Sequence, residues 1–363
     1  MTRLLCVSVG LTLLVVLSGC GSAGGGSPPG PEPPSQSSNL GPFVIHTAAA
    51  GNVTIKPIPN ERGANFTAVY GGPMDYIGVE ELLDRIVFTS YRTAANWDVW
   101  VCDLFGENLQ KVNGTGWPDR YPTWSPDGTQ IAFAQERVGQ GQADIYAMDS
   151  TGGSLTNLTN STDHDTHPTW SPSGDRIAFE TNRDGNGEIY SIYADGTGDT
   201  NLTNHSSEDI DPAWAPPGGN GRIAFATSRD GPDWELYTMS QDGSDPKRIT
   251  DNNVWVTNPS WSPGCHLLAY GAFYNGVGTD IHQITIGGDD QEAIADSNDF
   301  EDDPSYSHDG RFVAYTSDKG GGSNIWVRPL DPPGRPVRVT DGSGIDEYPD
   351  LGSPKVQTAR VLI

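Results

Sequence analysis

The chain is short of positive charge. Against 47 Asp and Glu it carries 21 Lys and Arg, a formal net charge of −26 over 363 residues. A phosphate backbone or an anionic lipid surface is repelled by that balance, so nucleic acid is set aside as a partner. Cysteine is equally scarce: Cys6, Cys20, Cys102 and Cys265 are the whole complement, with no CxxC and no Cys/His cluster of zinc spacing. Cys102 and Cys265 fall at unrelated places in the chain, which argues against a disulfide between them. No apolar run reaches the ~20 residues a membrane helix needs. The longest, Leu4–Leu17, stops at 14. There is no G-x-S-x-G nucleophile motif and no stretch of helical 3.6-residue periodicity.

Turn formers and large aromatics fill the space instead. Gly 45 and Pro 28 suit many short strands, and 10 Trp with 13 Tyr can build a core although hydrophobic residues make up only 35%.

The first twenty residues, MTRLLCVSVGLTLLVVLSGC, carry a charge at Arg3 and then the short apolar run. This is the layout of an export signal. Its end, Leu17-Ser18-Gly19-Cys20, resembles the bacterial lipobox. The resemblance implies lipidation of Cys20, which becomes the first residue of the mature protein, with two or three acyl chains for a stable anchor. Gly21 follows, so an Asp-based inner-membrane retention signal is absent. Residues 21–39, GSAGGGSPPGPEPPSQSSN, read as a Gly/Pro/Ser tether. Residues 40–363 are then expected to form the folded part.

From there a unit recurs. Trp124, Trp170, Trp214, Trp261 and Tyr306 stand at steps of 46, 44, 47 and 45 residues. Each follows a proline by two positions and precedes a second apolar run: Ile131-Ala-Phe, Ile177-Ala-Phe, Ile223-Ala-Phe, Leu268-Ala-Tyr and Val313-Ala-Tyr. A third run opens on a polar residue, as in Asp144-Ile-Tyr, Glu188-Ile-Tyr and Glu235-Leu-Tyr. A fourth ends near Leu158-Thr, Leu202-Thr, Ile249-Thr and Val339-Thr. Four short strands with Ser-Pro-Asp-Gly and Asp-Gly turns describe one propeller blade. The R-D-G runs at Arg183 and Arg229 read as hairpin turns rather than calcium loops, and the N-x-S/T triplets as by-products of the fourth strand.

Two end segments are degenerate. Tyr76–Phe88 aligns with the unit but has Val79 at the Trp place. Glu347-Tyr-Pro-Asp-Leu351 repeats a first strand and Thr358–Ile363 a second. The reading adopted is six contiguous units over 76–346 plus a seventh blade split between the termini. That blade would be started by 347–363 and completed by 52–58 and 65–70 within residues 40–75. The alternative is a six-bladed ring. Closing a ring through both termini removes free strand edges.

The pattern W-S-P-D-G-x-x-I-A-F, then D/E-I-Y, then L-T, resembles the TolB-type propeller repeat over roughly 76–351. The resemblance implies an all-β propeller of four-stranded antiparallel blades and leaves function open, because the scaffold hosts many. TolB has an α/β domain before its propeller, and residues 40–75 are too short for one.

Candidate site residues are those the repeat does not dictate. Carboxylates stand three positions before the motif prolines at Asp119, Asp165, Asp209, Glu301 and Asp346, and directly before them at Asp211 and Asp303. They either ring one channel mouth or cap their own loops one blade at a time. The pre-proline place is otherwise taken by Tyr121, His167, Asn258 and Tyr348. His167 is notable because propeller-type oligogalacturonate lyases hold a metal with channel histidines; one histidine at this place does not make a multi-histidine site. The expected protein is therefore a monomeric, non-enzymatic, lipid-anchored propeller outside the cytoplasm, in the periplasm or at the cell surface of a bacterium. It would bind an envelope protein or glycan and touch the membrane only through its anchor. No cofactor is expected, with a divalent cation at the acidic mouth as the alternative. Two other classes stay open: an extracellular enzyme acting on saccharide or peptide through that mouth, and a structural surface protein without a specific ligand.

Overall fold

A computed structural model describes three strands between residues 43 and 69, and residues 84–352 apart from 93–95, 115, 138–140, 252–253, 275–277 and 290–291. The signal segment, the tether and residues 353–363 lie outside the described residues, as do Tyr76–Leu83. The described residues contain no helix.

Six four-stranded antiparallel sheets make a six-bladed propeller. Blade 1 is built from Asp346–Gly352, Arg85–Ser90, Asp98–Asp103 and Gln110–Lys111. Blades 2, 3, 4, 5 and 6 begin with the inner strands Asp119–Trp124, Asp165–Trp170, Asp209–Trp214, Trp255–Trp261 and Glu301–Tyr306, and each continues outward in chain order. Each inner strand touches the next, and Asp346–Gly352 touches those of blades 6 and 2, so the ring is closed.

The count of seven is corrected by this closure. Glu347–Leu351 is an inner strand, but its partner is Arg85–Ser90, with Leu351 opposite Ile86 and Asp346 opposite Ser90. The segments expected to complete a seventh blade are strands that pair elsewhere. β1 (Phe43–Thr47), β2 (Asn52–Pro57) and β3 (Phe66–Val69) form their own antiparallel sheet. The two degenerate units are thus two parts of one blade. The later part supplies the full motif Tyr348-Pro349-x-Leu351, and the earlier part supplies strands two to four.

The motif residues explain the packing. On the second strand, Ile131 and Phe133 face blade 1 and pack with Val87, Val99 and Trp124. Ala132 and Ala134 face blade 3, where Trp170, Ile177 and Phe179 fill the space that small side chains leave. The same alternation builds a core between every neighbouring pair of blades, including blades 6 and 1, where Phe312 and Ile325 meet Ile86, Phe88 and Leu351. An alternating strand that buries both faces needs apolar residues on each, large one way and small the other.

The D/E-I-Y and L-T motifs are one device. The threonine hydroxyl accepts from the N–H of the third strand: Ile145 to Thr159 at 3.1 Å, Ile189 to Thr203 at 3.0 Å, Leu236 to Thr250 at 2.8 Å and Ile325 to Thr340 at 3.0 Å. It then donates to the buried polar residue that opens that strand, as from Thr250 to Glu235 at 2.5 Å. The fourth strand is only two residues long in most blades, and this relay holds it. Cys102 and Cys265 are both free thiols.

Candidate functional site

Every inner strand carries a β-bulge at the residue before its proline. That residue lies in the left-handed region each time: Tyr121 at φ 55°, His167 at 48°, Asp211 at 52°, Asn258 at 49°, Asp303 at 56° and Tyr348 at 55°. Asn and Asp take this conformation readily, whereas for Tyr it costs on the order of 1–2 kcal/mol. All six residues line one cavity of about 340 Å³ with the prolines and the W-S-P turns. The wall is proline and aromatic, and the exposed His308 sits at the rim. No lysine or arginine is among the described residues lining it.

One half of this ring is aromatic. The Tyr121 ring lies 3.7 Å from that of His167 and 4.4 Å from that of Tyr348, centroid to centroid. Burial pushes the Tyr121 hydroxyl up to about 12, and burial with Asp303 pushes that of Tyr348 higher still. The other half is polar. Asn258 donates through Nδ2 to Asp303 at 2.9 Å and through its backbone N–H to Asp211 at 3.2 Å. Thr316 donates to Asp303 at 2.9 Å. Burial, and then Asp302, raise the Asp303 carboxyl well above its usual range. Asp302 fits because blade 5 has Gly271, where a Cβ would stand 2.2 Å from its Oδ1.

His167 joins the halves. Its Nδ1 is 3.3 Å from Glu180 and its Nε2 is 3.5 Å from Asp211. Burial alone would lower the imidazole's pKa, but Asp211, Glu180 and Asp303 outweigh it and lift the group to about 9. Burial lifts Asp211 to about 6 against the pull of His167. Among the described residues, His167, Glu180 and Asp211 form a group that could hold a metal ion.

The carboxylates three places before the prolines are elsewhere. Asp119, Asp165, Asp209, Glu301 and Asp346 are buried at the start of the inner strands and do not line the cavity. Arg183 donates to both oxygens of Asp165 at 3.1 and 3.3 Å, and Arg229 to both of Asp209 at 2.8 Å. Arg92 and Ser90 hold Asp346 at 2.7 and 2.5 Å. Each arginine also lies over the second-strand phenylalanine, Phe179, Phe225 or Phe88. Ser297 holds Glu301. Asp119 has amides, Asn113 and Gln135, each at 2.8 Å. Of the eight channel-mouth candidates, the structure brings His167, Asp211 and Asp303 to the cavity. The other five hold strand ends in place.

Two residues that the structure places beside this ring were not singled out in the sequence: Glu180, next to His167, and Asp302, next to Asn258 and Asp303. Glu180 had a signal. It stands where the other second strands have Thr89, Ala134, Ala226, Gly271 and Thr316.

Six antiparallel blades around a funnel, closed by a strand from the far end of the chain, define a β-propeller of the TolB class. The model of the TolB beta propeller domain matches residues 84–327, and the chain belongs to that family. Among solved structures it is similar to TolB from Acinetobacter baumannii, at 18% identity and TM-score 0.63, over 85% of this chain and 82% of that one. It is also similar to a TolB from Agrobacterium tumefaciens at 18% identity and TM-score 0.55, over 74% and 98%. A chain of Kuenenia stuttgartiensis hydrazine synthase matches at 17% identity and TM-score 0.63, over 80% of this chain and 51% of that one. No curated protein matches the sequence.

Proposed function

We propose that the protein is a non-catalytic binding module of the bacterial cell envelope, lipid-anchored at Cys20, that receives part of a partner in its funnel. The observation that carries the reading is the contrast within each inner strand. The residues that set the blade repeat from copy to copy, while the six residues turned onto the axis differ: two Tyr, one His, two Asp and one Asn. Where a scaffold is uniform and one ring of strained positions is not, the ring is the place for recognition. A lining of proline and aromatic groups above a polar floor is the usual make-up of a binding cavity. Membership of the TolB propeller family and the lipobox support the envelope setting, with an envelope protein or glycan as the partner and the membrane reached through the anchor alone.

The test is crosslinking in intact cells with a photoreactive phenylalanine placed at the rim, in place of His308, and on the outer edge, in place of Leu155. The expected result is a discrete adduct from position 308 that position 155 does not give. Identical adducts from both, or none from 308, would sink the reading. Cys20→Ala is expected to abolish fatty-acid labelling and to move the protein out of the membrane fraction.

A further inference from the structure

We infer that His167, Glu180 and Asp211 are the ligands of one first-row divalent cation at the floor of the funnel, its remaining positions open to the cavity. This rests on the binding reading and specifies the chemistry of its site.

The three residues come from three strands. His167 sits on the bulge of blade 3, Glu180 on that blade's second strand, opposite Thr166, and Asp211 on the bulge of blade 4. Sheet pairing therefore fixes where each donor starts. One donor atom from each lies within 4.8 Å of the others, and the imidazole-to-carboxylate separations are 3.3 and 3.5 Å. Donors bound at about 2.0–2.2 Å to one cation stand roughly 3 Å apart, so small side-chain adjustments suffice. A turn of the imidazole sets one nitrogen between both carboxylates. An imidazole with two carboxylates suits zinc, cobalt or ferrous iron, whereas calcium and magnesium prefer all-oxygen sets. Two carboxylates also balance a dication.

The carboxylates elsewhere in the fold show why these two differ. Asp165, Asp209 and Asp346 are each matched by an arginine. Among the described residues, Glu180 and Asp211 form ion pairs only with His167. Glu180 serves no packing need of the repeat, since Ala, Gly or Thr fills that position in every other blade. Asp211 is buried and Glu180 half-buried, and the two share a single imidazole as counter-charge, with no guanidinium or ammonium lining the cavity, so a dication that displaces the imidazole's proton would match both. The open positions suit a partner's carboxylate or hydroxyl oxygen.

The experiment uses the chelator-treated protein, with Zn²⁺ binding followed by calorimetry and Co²⁺ binding by its visible absorption. One equivalent per chain is expected. Glu180→Gln and Asp211→Asn are expected to weaken it by roughly ten- to a hundredfold while the melting curve stays cooperative. His167→Ala should do the same; if it does not fold, the near-isosteric Glu180→Gln decides. The inference is overturned by no stoichiometric uptake, by affinity unchanged in both carboxylate variants, or by Ca²⁺ or Mg²⁺ binding as tightly as Zn²⁺. Failure here would leave the crosslink from position 308 intact, so the two readings fail separately.

Discussion

Asp119 shows how one residue's partners decide its chemistry. Its counterparts Asp165 and Asp209 face arginines and sit as buried ion pairs. Asp119 faces two amides, and burial raises it from 3.8 to about 7, with Asp98 adding to the rise while Gln135 and Lys111 oppose it. The sign follows from linkage. Between 3.8 and about 7 the folded state holds a proton that the unfolded chain has lost, so this group's contribution falls as pH rises through that window. Urea titrations across pH 4–8 should therefore show wild type losing stability relative to Asp119→Asn, with the difference levelling off above the upper end. Arg183→Ala has the opposite character. It strands the Asp165 carboxylate without a cation, and removing one partner of a buried pair costs about 3–5 kcal/mol. Chemical denaturation should show that loss at neutral pH. The arginines stood in view in the sequence as R-D-G turns. Their reach back to the previous strand was not legible, because it depends on how the second strand pairs with the first.

At the level of strands, the threonine relay predicts that Thr250→Val is worse than its size suggests. Glu235 loses a 2.5 Å donor and the Leu236 N–H loses its acceptor, while volume hardly changes. An unmet buried group costs about 1–3 kcal/mol, so the unfolding free energy from denaturant titration should drop by that much, with faster amide exchange along Lys247–Arg248. The strands themselves were readable because their signals are local: Pro-x-Trp, Ile-Ala-Phe and Asp-Ile-Tyr each encode one strand and its two faces. The pre-proline ring was readable too, as whatever the repeat left unspecified. The acidic residues three places earlier looked like the same kind of signal. Periodicity places a side chain along a strand, but the neighbouring blade decides whether it meets water, a cavity or an arginine.

For the whole molecule, closure is the property on which the fold depends. At four of the six joints a post-proline side chain stitches one inner strand to the next. Thr169 accepts from Trp214 N–H at 3.2 Å, Ser260 from Tyr306 N–H at 3.2 Å, Ser305 from Leu351 N–H at 3.0 Å and Asp350 from Trp124 N–H at 2.7 Å. At the joint, Gly352 lies so close to Trp124 that a Cβ would stand 2.2 Å from the indole Cδ1. Gly352→Val should push that ring away and lower stability by about 1–3 kcal/mol, measurable as a shift in the melting temperature. Blade number was left between two counts in the sequence, and the structure has the six-bladed alternative rather than the favoured seven. A linear count of units cannot tell two blades from the two parts of one. The pairing of Ser90 with Asp346 spans 256 residues. Contacts between segments so far apart form late and slowly. Until Asp346–Gly352 docks, the first blade therefore lacks its inner strand and leaves Ile86 and Phe88 unshielded while the other blades form. While the ring is open this gap is the stretch most exposed to proteases and to self-association, and a chaperone that covers Arg85–Ser90 would protect the folding chain at its weakest moment.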